Sequence, residues 1–172
     1  ETYSYDETEN EIIIKATVRD ASLFGHKLIL HRTYTCSKSE NKITIEDTAE
    51  NIGTDKCPYM ILYHINIGYP LLSEHTDVFI PAHSCRARNA HAEDLFESRL
   101  TMEKPTAGYE ECCYYYDVKD GAVGVYNPDI QKGAVIRFSK DTLDCFTQWK
   151  MMGENEYVLG LEPGNCTADG RD

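Results

Sequence analysis

Short runs of alternating apolar and polar residues dominate this chain, and turn residues separate the runs. In residues 42–47, for example, Ile43 and Ile45 alternate with polar neighbours. A period of two residues is that of a β-strand with one buried face. The pattern predicts strands at residues 12–18, 27–34, 42–47, 60–66, 114–118, 122–127, 134–138, 145–150 and 156–162.

Turn signals between these runs indicate how the strands connect. Asp120-Gly121 is typical of a hairpin turn, and the spacing of strands at roughly ten residues is that of an antiparallel sandwich or barrel. Only residues 90–100 suggest a helical turn, with a shorter one at 141–143. The sequence therefore predicts an all-β protein, an antiparallel β-sandwich.

Residues 73–106 form the longest stretch without a strand pattern. The stretch is predicted to be a long functional loop because it carries His75, His83, His91, Arg86 and Arg88, and Cys85 lies among them. The spacing of the histidines and Cys85 matches no known metal template, and histidines in loops usually lie in solvent. We therefore predict no metal site, and a sugar isomerase that uses these histidines with a metal is the weakest of three functional hypotheses.

Composition narrows the class of protein. The 172 residues suffice for one domain, predicted to span residues 1–172, and 41% hydrophobic residues are typical of a globular chain. A formal net charge of −12 disfavours nucleic acid and anionic membrane surfaces as partners. No apolar run approaches the ~18 residues of a membrane span. Seven cysteines, an odd number without C-x-x-C spacing, indicate reduced thiols and a cytoplasmic location.

His64 lies in the most apolar of the runs, residues 60–66. With strand alternation, His64 and Asn66 face the same side of the sheet. A half-exposed sheet face explains two polar groups there as well as a binding site does. Gly68 and Pro70 end the run at once, at a sheet edge where clefts form, and this favours a site.

Glu162 ends the run 156–162, and Pro163 stops that run. By alternation Gly160 shares the face of Glu162, so the space beside the carboxylate could admit a ligand. A solvated glutamate at a strand end explains the same pattern. His64 and Glu162 are 98 positions apart (162 − 64), so only tertiary structure can bring them together.

Trp149, the single tryptophan, lies in a strand that is predicted to form a hairpin with the strand of Glu162. Packing in the core is the ordinary use of such a residue. Stacking against the apolar face of a sugar is the alternative.

Two motifs resemble the aldose 1-epimerase (galactose mutarotase) superfamily. The first is Asn51-Ile52-Gly53 followed by Tyr63-His64-Ile65-Asn66-Ile67-Gly68-Tyr69, and the second is Gly160-Leu161-Glu162-Pro163-Gly164-Asn165. They occur in the order of the family, and the resemblance runs from Leu28 to Arg171. It is strongest to a bacterial aldose-epimerase-like branch of uncharacterised substrate. Tyr63 stands where the family has Asn before its His.

The resemblance implies the supersandwich fold of galactose mutarotase, with this chain as its C-terminal portion, and a sugar as substrate. It implies that His64 is the acid that serves the ring oxygen and that Glu162 is the base for the anomeric hydroxyl. Glutamate is ionised at neutral pH and histidine titrates near it, which suits both roles. No cofactor and no metal are required. Further candidates for contacting the sugar are Asn66, Arg86, Trp149 and Asn165.

Two hypotheses remain beside each other. The first is a mutarotase that interconverts sugar anomers, with a missing N-terminal half or a homo-oligomer partner completing the pocket. The second is a non-catalytic carbohydrate-binding sandwich. Convergence of His64 and Glu162 across a gap as wide as a sugar ring favours the enzyme, and opposite faces of the sheet favour the binding module.

Overall fold

The computed structural model of the chain describes residues 2–169 and divides the chain into two units, with the boundary between Tyr59 and Met60. Arg171, where the family resemblance ends, lies outside the described residues. The prediction of a single domain over residues 1–172 stays a prediction. No helix in the described part is long and apolar enough to cross a membrane.

The first unit is one antiparallel sheet of four strands in sequence order. Its strands are β1 (Thr2–Glu7), β2 (Glu11–Ala21), β3 (Lys27–Ser37) and β4 (Ile43–Asn51). Register places Tyr5 opposite Ile14, Ile14 opposite Tyr34, and Tyr34 opposite Ile45, so one face of the sheet is apolar. None of the residues 2–59 is buried. This unit therefore has an apolar face but no core within itself.

The second unit contains two sheets, in which every pair of neighbouring strands is antiparallel. Its strands are β5 (Ile65–Ile67), β6 (Asp77–Phe79), β7 (Ala82–Ala87), β8 (Cys112–Val118), β9 (Ala122–Asn127), β10 (Lys132–Arg137), β11 (Cys145–Met152) and β12 (Tyr157–Gly164). The five-stranded sheet has the order β5-β12-β11-β8-β7, and the three-stranded sheet has the order β10-β9-β6.

The inner faces of these two sheets pack into one hydrophobic core. Phe146 and Leu161 of the larger sheet belong to the same buried cluster as Val125 of the smaller one. Phe138, just after β10, stacks on Phe146 with ring centroids 5.8 Å apart. The prediction of an all-β antiparallel sandwich is confirmed. Because side chains alternate along a strand, the neighbours of these core residues lie on the outer face of the larger sheet.

The predicted strand 60–66 is wrong over most of its length. Only Ile65–Ile67 forms a strand, preceded by a single bridge between Leu62 and Gly164. The amide of Ile65 donates to the carbonyl of Tyr63, which makes a tight three-residue turn centred on His64. The chain therefore bends at His64 instead of running straight through it.

The predicted loop 73–106 is also wrong, because it contains strands β6 and β7. β7 is an edge strand whose sequence Ala-His-Ser-Cys-Arg-Ala lacks apolar alternation, so its pattern gave no strand signal. The suggested helical turn is confirmed as helix α1 (Ala90–Asp94) and the 3₁₀ turn Phe96–Ser98. Asn89 caps α1, its side-chain oxygen accepting from the amide of Ala92 at 2.9 Å.

Asp120-Gly121 is a turn, but β8 and β9 on either side of it do not pair. The turn carries the chain from the five-stranded sheet to the three-stranded one. Gly121 has a φ of +59°, and a Cβ there would lie 2.2 Å from the carbonyl oxygen of Phe138. The predicted hairpin is therefore a connection between sheets.

Candidate functional site

Glu162 lies on β12 and faces the outer side of the five-stranded sheet, and its side chain is only 2% exposed. Its carboxylate folds back over Gly160, where an added Cβ would lie 2.3 Å from Oε1. The sequence predicted that Gly160 leaves room for a ligand. The structure shows that this room is filled by the carboxylate of Glu162 itself.

His64 is fixed on more than one side. Its Nδ1 lies 2.8 Å from Oδ1 of Asn66, so the two side chains lie together as predicted. The indole of Trp149 meets the imidazole edge to face, with ring centroids 5.2 Å apart. With Nδ1 donating to Asn66, the other nitrogen, Nε2, faces Glu162.

The acid and the base meet directly. His64 Nε2 is 3.1 Å from Glu162 Oε1, and the imidazole is 50% exposed. The two atoms are not aligned as a hydrogen bond, so Oε1 is buried without a hydrogen-bond partner despite this short distance. The expected gap of one sugar ring is not present. The two residues lie on one face of the sheet, so the opposite-face arrangement expected for a binding module is not present either.

Burial controls the acidity of Glu162. Removal from solvent raises the pKa of its carboxyl above the ordinary value, the charge of His64 lowers it, and the negative charge of Glu111 raises it. Thr147, directly opposite Glu162 on β11, also has a buried hydroxyl without a hydrogen-bond partner. Buried polar atoms are normally paired, so two unpaired ones make this face of the sheet unusual.

Trp149 also belongs to a polar network whose central residue, Glu111, was missed by sequence reasoning. The indole Nε1 donates to Glu111 Oε2 at 2.7 Å, and Glu111 Oε1 lies 3.5 Å from Arg88 Nη1. Arg88 also lies 3.4 Å from Asp169. Glu111 stands just outside β8 in no recognisable motif, so no sequence signal pointed to it, whereas Arg88 belongs to the stretch 73–106 that was predicted to be functional.

Arg86 lies on the edge strand β7, three strands away from Glu162. Register connects Arg86 to Tyr115, Tyr115 to Thr147, and Thr147 to Glu162. The guanidinium of Arg86 sits 4.2 Å from the centroid of the Tyr115 ring. Arg86 and Tyr115 help to line a cavity of about 310 Å³. Contact between Arg86 and a sugar stays a prediction.

Asn165 has a structural contact in this fold. Its Oδ1 accepts from the backbone amide of Ile61 at 2.8 Å, and the backbone amide of Asn165 donates to the carbonyl of Ile61. These bonds join the end of β12 to the segment that leads into His64. Asn165 therefore holds the segment before His64 against the end of β12, and its contact with a sugar stays a prediction.

The loop histidines do not converge. His75 lies 2.6 Å from Asp129, and His91 on α1 lies 3.3 Å from the carbonyl of Glu110. His83 is exposed at the β7 irregularity, where register shifts between Ala82 and Ser84. Among residues 2–169, no three His, Cys, Asp or Glu side chains are grouped as a metal site requires.

The fold is that of an aldose-epimerase-like β-sandwich. A crystal structure described as a putative aldose 1-epimerase from Klebsiella pneumoniae subsp. pneumoniae MGH 78578 matches the chain with a TM-score of 0.88 and 25% sequence identity. The match covers 95% of this chain and 45% of that one, so the chain spans less than half the length of that protein. The predicted superfamily resemblance is confirmed at the level of the fold.

The chain belongs to the family described as a domain of unknown function (DUF4432), which it matches over residues 1–172. No curated protein matches it. The narrower bacterial branch and the correspondence to a C-terminal half stay predictions.

Proposed function

We propose that this chain carries the acid–base pair of a sugar mutarotase, which interconverts the two anomers of an aldose. The observation that supports the proposal most is the 3.1 Å approach of His64 Nε2 to the buried carboxylate of Glu162. The hydroxyl and the ring oxygen that must exchange protons are bonded to the same anomeric carbon. An acid and a base that are close neighbours can therefore serve both atoms, without a gap as wide as the ring.

Glu162 is the base in the proposed reaction. Its carboxylate removes the proton of the anomeric hydroxyl while the imidazolium of His64 gives a proton to the ring oxygen. The bond from the anomeric carbon to the ring oxygen breaks, and a carbonyl forms. After rotation about the neighbouring carbon–carbon bond, the ring hydroxyl returns its proton to His64 as it attacks the other face. Protonated Glu162 then returns its proton to the carbonyl oxygen, so neither residue is consumed.

The surroundings suit these roles. Asn66 Oδ1 accepts from Nδ1 of His64 at 2.8 Å and so orients the imidazole with Nε2 toward the substrate side. Burial raises the pKa of Glu162, which makes its carboxylate a stronger base than an exposed one. The half-exposed imidazole leaves a path by which a sugar can reach the pair.

The whole protein is a wider proposal. Because the chain spans less than half of the Klebsiella protein, we propose that further chain or a second copy completes the sugar pocket. All seven thiols are unpaired, which supports the proposal of a cytoplasmic location.

The test compares His64→Ala and Glu162→Gln with the unaltered chain, by polarimetry and by exchange NMR on a panel of aldoses. We expect each change to lower the rate of anomer exchange by about 10²–10⁴-fold, since that is the usual contribution of one acid or base. Circular dichroism should show the same fold. His75→Ala is the matched control, because His75 also pairs with a carboxylate, Asp129, but away from this site.

Retention of the unaltered rate in either site variant would refute the assignment. Saturable sugar binding without any acceleration by the unaltered chain would instead support the non-catalytic binding module.

A further inference from the structure

Glu111 is in contact with the His64–Glu162 pair through Trp149. It lies immediately before β8, and Trp149 pairs with the second residue of that strand, Cys113. Its Oε2 accepts from the indole Nε1 at 2.7 Å, and the same indole packs against the imidazole of His64. The Glu111 carboxylate therefore fixes the orientation of the Trp149 indole relative to the imidazole of His64.

The position of Glu111 is itself fixed. Arg88 Nη1 lies 3.5 Å from Glu111 Oε1, and Arg88 Nε lies 3.4 Å from Asp169. The Arg88 guanidinium also donates to the thiol of Cys113 at 3.5 Å. Because Glu111 contacts Arg88 on one side and Trp149 on the other, the contacts from Arg88 to the imidazole of His64 are continuous.

The charge of Glu111 also reaches the pair. The titratable groups that interact electrostatically with Glu162 are His64 in the turn before β5, Glu111 immediately before β8, and the thiol of Cys113 on β8. His64 lowers the pKa of Glu162 and Glu111 raises it, while burial is the main cause of its elevation. Arg88 lies on the far side of Glu111 and offsets part of its charge.

We propose that Glu111 is a positioning residue for the His64–Glu162 pair, because it fixes the Trp149 indole against His64 and places a negative charge on the face of Glu162. This inference rests on the proposed function for its kinetic consequence, but its structural part does not. Glu111 does not touch the reacting atoms, so its effect is carried by Trp149 and by charge.

Two substitutions separate the two effects. Glu111→Ala removes both the acceptor for the indole and the charge, whereas Glu111→Gln keeps an acceptor and removes only the charge. Glu110→Gln is the matched control, because Glu110 is the adjacent residue, its side chain is 67% exposed, and its carboxylate comes no closer than 3.9 Å to His91.

The first readout needs no activity. Trp149 is the single tryptophan, so its indole N–H resonance and its fluorescence report on this contact alone. We expect E111A to shift both signals, and we expect ¹³C-carboxyl NMR to show that Glu162 titrates at a lower pH in E111Q than in the unaltered chain. The Glu162 resonance is assigned by its absence in E162Q.

The second readout is kinetic. We expect E111A to lower kcat by about tenfold with KM within about twofold, because misplacing an acid disturbs the reaction more than binding. E111Q should lose less of kcat, and the acid limb of its pH profile should move to lower pH. Glu110→Gln should change neither the indole signals nor the pH profile.

An unchanged indole resonance in E111A, or an unchanged titration of Glu162 in E111Q, overturns the inference. If the unaltered chain shows no anomer exchange, the proposed function fails while the NMR results still decide the inference. If Glu162→Gln abolishes exchange but the Glu111 variants behave like the control, the function stands and the inference fails.

Discussion

Glu162 places an ionisable carboxyl at a position almost closed to solvent. Its pKa in the folded protein is raised, so the folded state keeps the proton to a higher pH than the unfolded chain does. Stability therefore falls as the pH rises from the ordinary carboxyl pKa through the raised value. Above the raised value, the buried and ionised carboxylate lowers the free energy of unfolding.

We expect Glu162→Gln to raise the free energy of unfolding at pH 7 by on the order of 1 kcal/mol, and Tm with it, because it keeps the shape and removes the buried charge. Below the ordinary carboxyl pKa, where both states bind the proton, the gain should disappear. Thermal melts at pH 4 and pH 7 measure this, with exposed Glu97→Gln as the control. A lower Tm at pH 7 in the variant would show that the charge is fully compensated in the fold.

For single residues, the sequence identified site candidates where a polar residue interrupts an apolar run. His64 and Glu162 each stand beside Gly and Pro, and both were identified before any tertiary structure. Glu111 was not, because an exposed acid ahead of a strand looks like any other solvated carboxylate. Only the pairing of Trp149 with Cys113 brings Glu111 to the site, and pairing between distant strands cannot be derived from local pattern.

The elements that hold the site are β11 and β12, and a lysine anchors β11 from the other face. Lys150 is next to Trp149, its side chain is 2% exposed, and its Nζ donates to the carbonyls of Ser98 and Thr101 and to Glu103 Oε1. A buried ammonium with three acceptors ties the segment after α1 to the sheet. Trp149 and Lys150 thus join one strand to the site on one side and to the core on the other.

We expect Lys150→Met to lower the free energy of unfolding by on the order of 2–3 kcal/mol, because it removes the buried donor of the Glu103 carboxylate and the Thr101 carbonyl, whereas the Ser98 carbonyl keeps the Thr101 amide. Urea denaturation measures the change, and limited proteolysis should show faster cleavage in residues 98–103. Lys104→Met is the control, since the Lys104 side chain is 78% exposed. Equal effects of the two substitutions would contradict the anchoring role.

Strand prediction succeeded where apolar residues recur along a strand, as in β2, β3, β4 and β9, and failed where a strand is mostly polar or only three residues long. β9, at Ala122–Asn127, has the predicted bounds, and it lies in the core. The edge strand β7 is mostly polar, and β1 carries only Tyr3 and Tyr5 among polar residues, so neither sequence gave a clear strand signal. The assignment of β8 and β9 to different sheets was also beyond the local pattern, because the same Asp-Gly turn suits a hairpin.

The whole molecule combines two units of very different burial. The hydrophobic core lies entirely between Ile67 and Leu161, whereas no residue from 2 to 59 is buried. The first unit has complete strand ladders, including the eleven paired positions of β2 and β3. Hydrogen bonds between strands contribute little net stability without apolar burial, so a ladder alone does not resist opening.

We therefore expect amide hydrogens of the first unit to exchange roughly a hundredfold or more faster than those of β8 and β11, because local opening is least costly where few apolar contacts are lost. Hydrogen-exchange mass spectrometry of the full chain compares peptides from residues 11–37 with peptides from residues 112–118 and 145–152. The pairing of β2 with β3 makes this a fair comparison, since both regions are hydrogen-bonded. Equal protection that weakens on dilution would show that a second copy covers the apolar face of Ile14, Tyr34 and Ile45. Equal protection at every concentration would mean that burial does not predict the local stability of the four-stranded sheet.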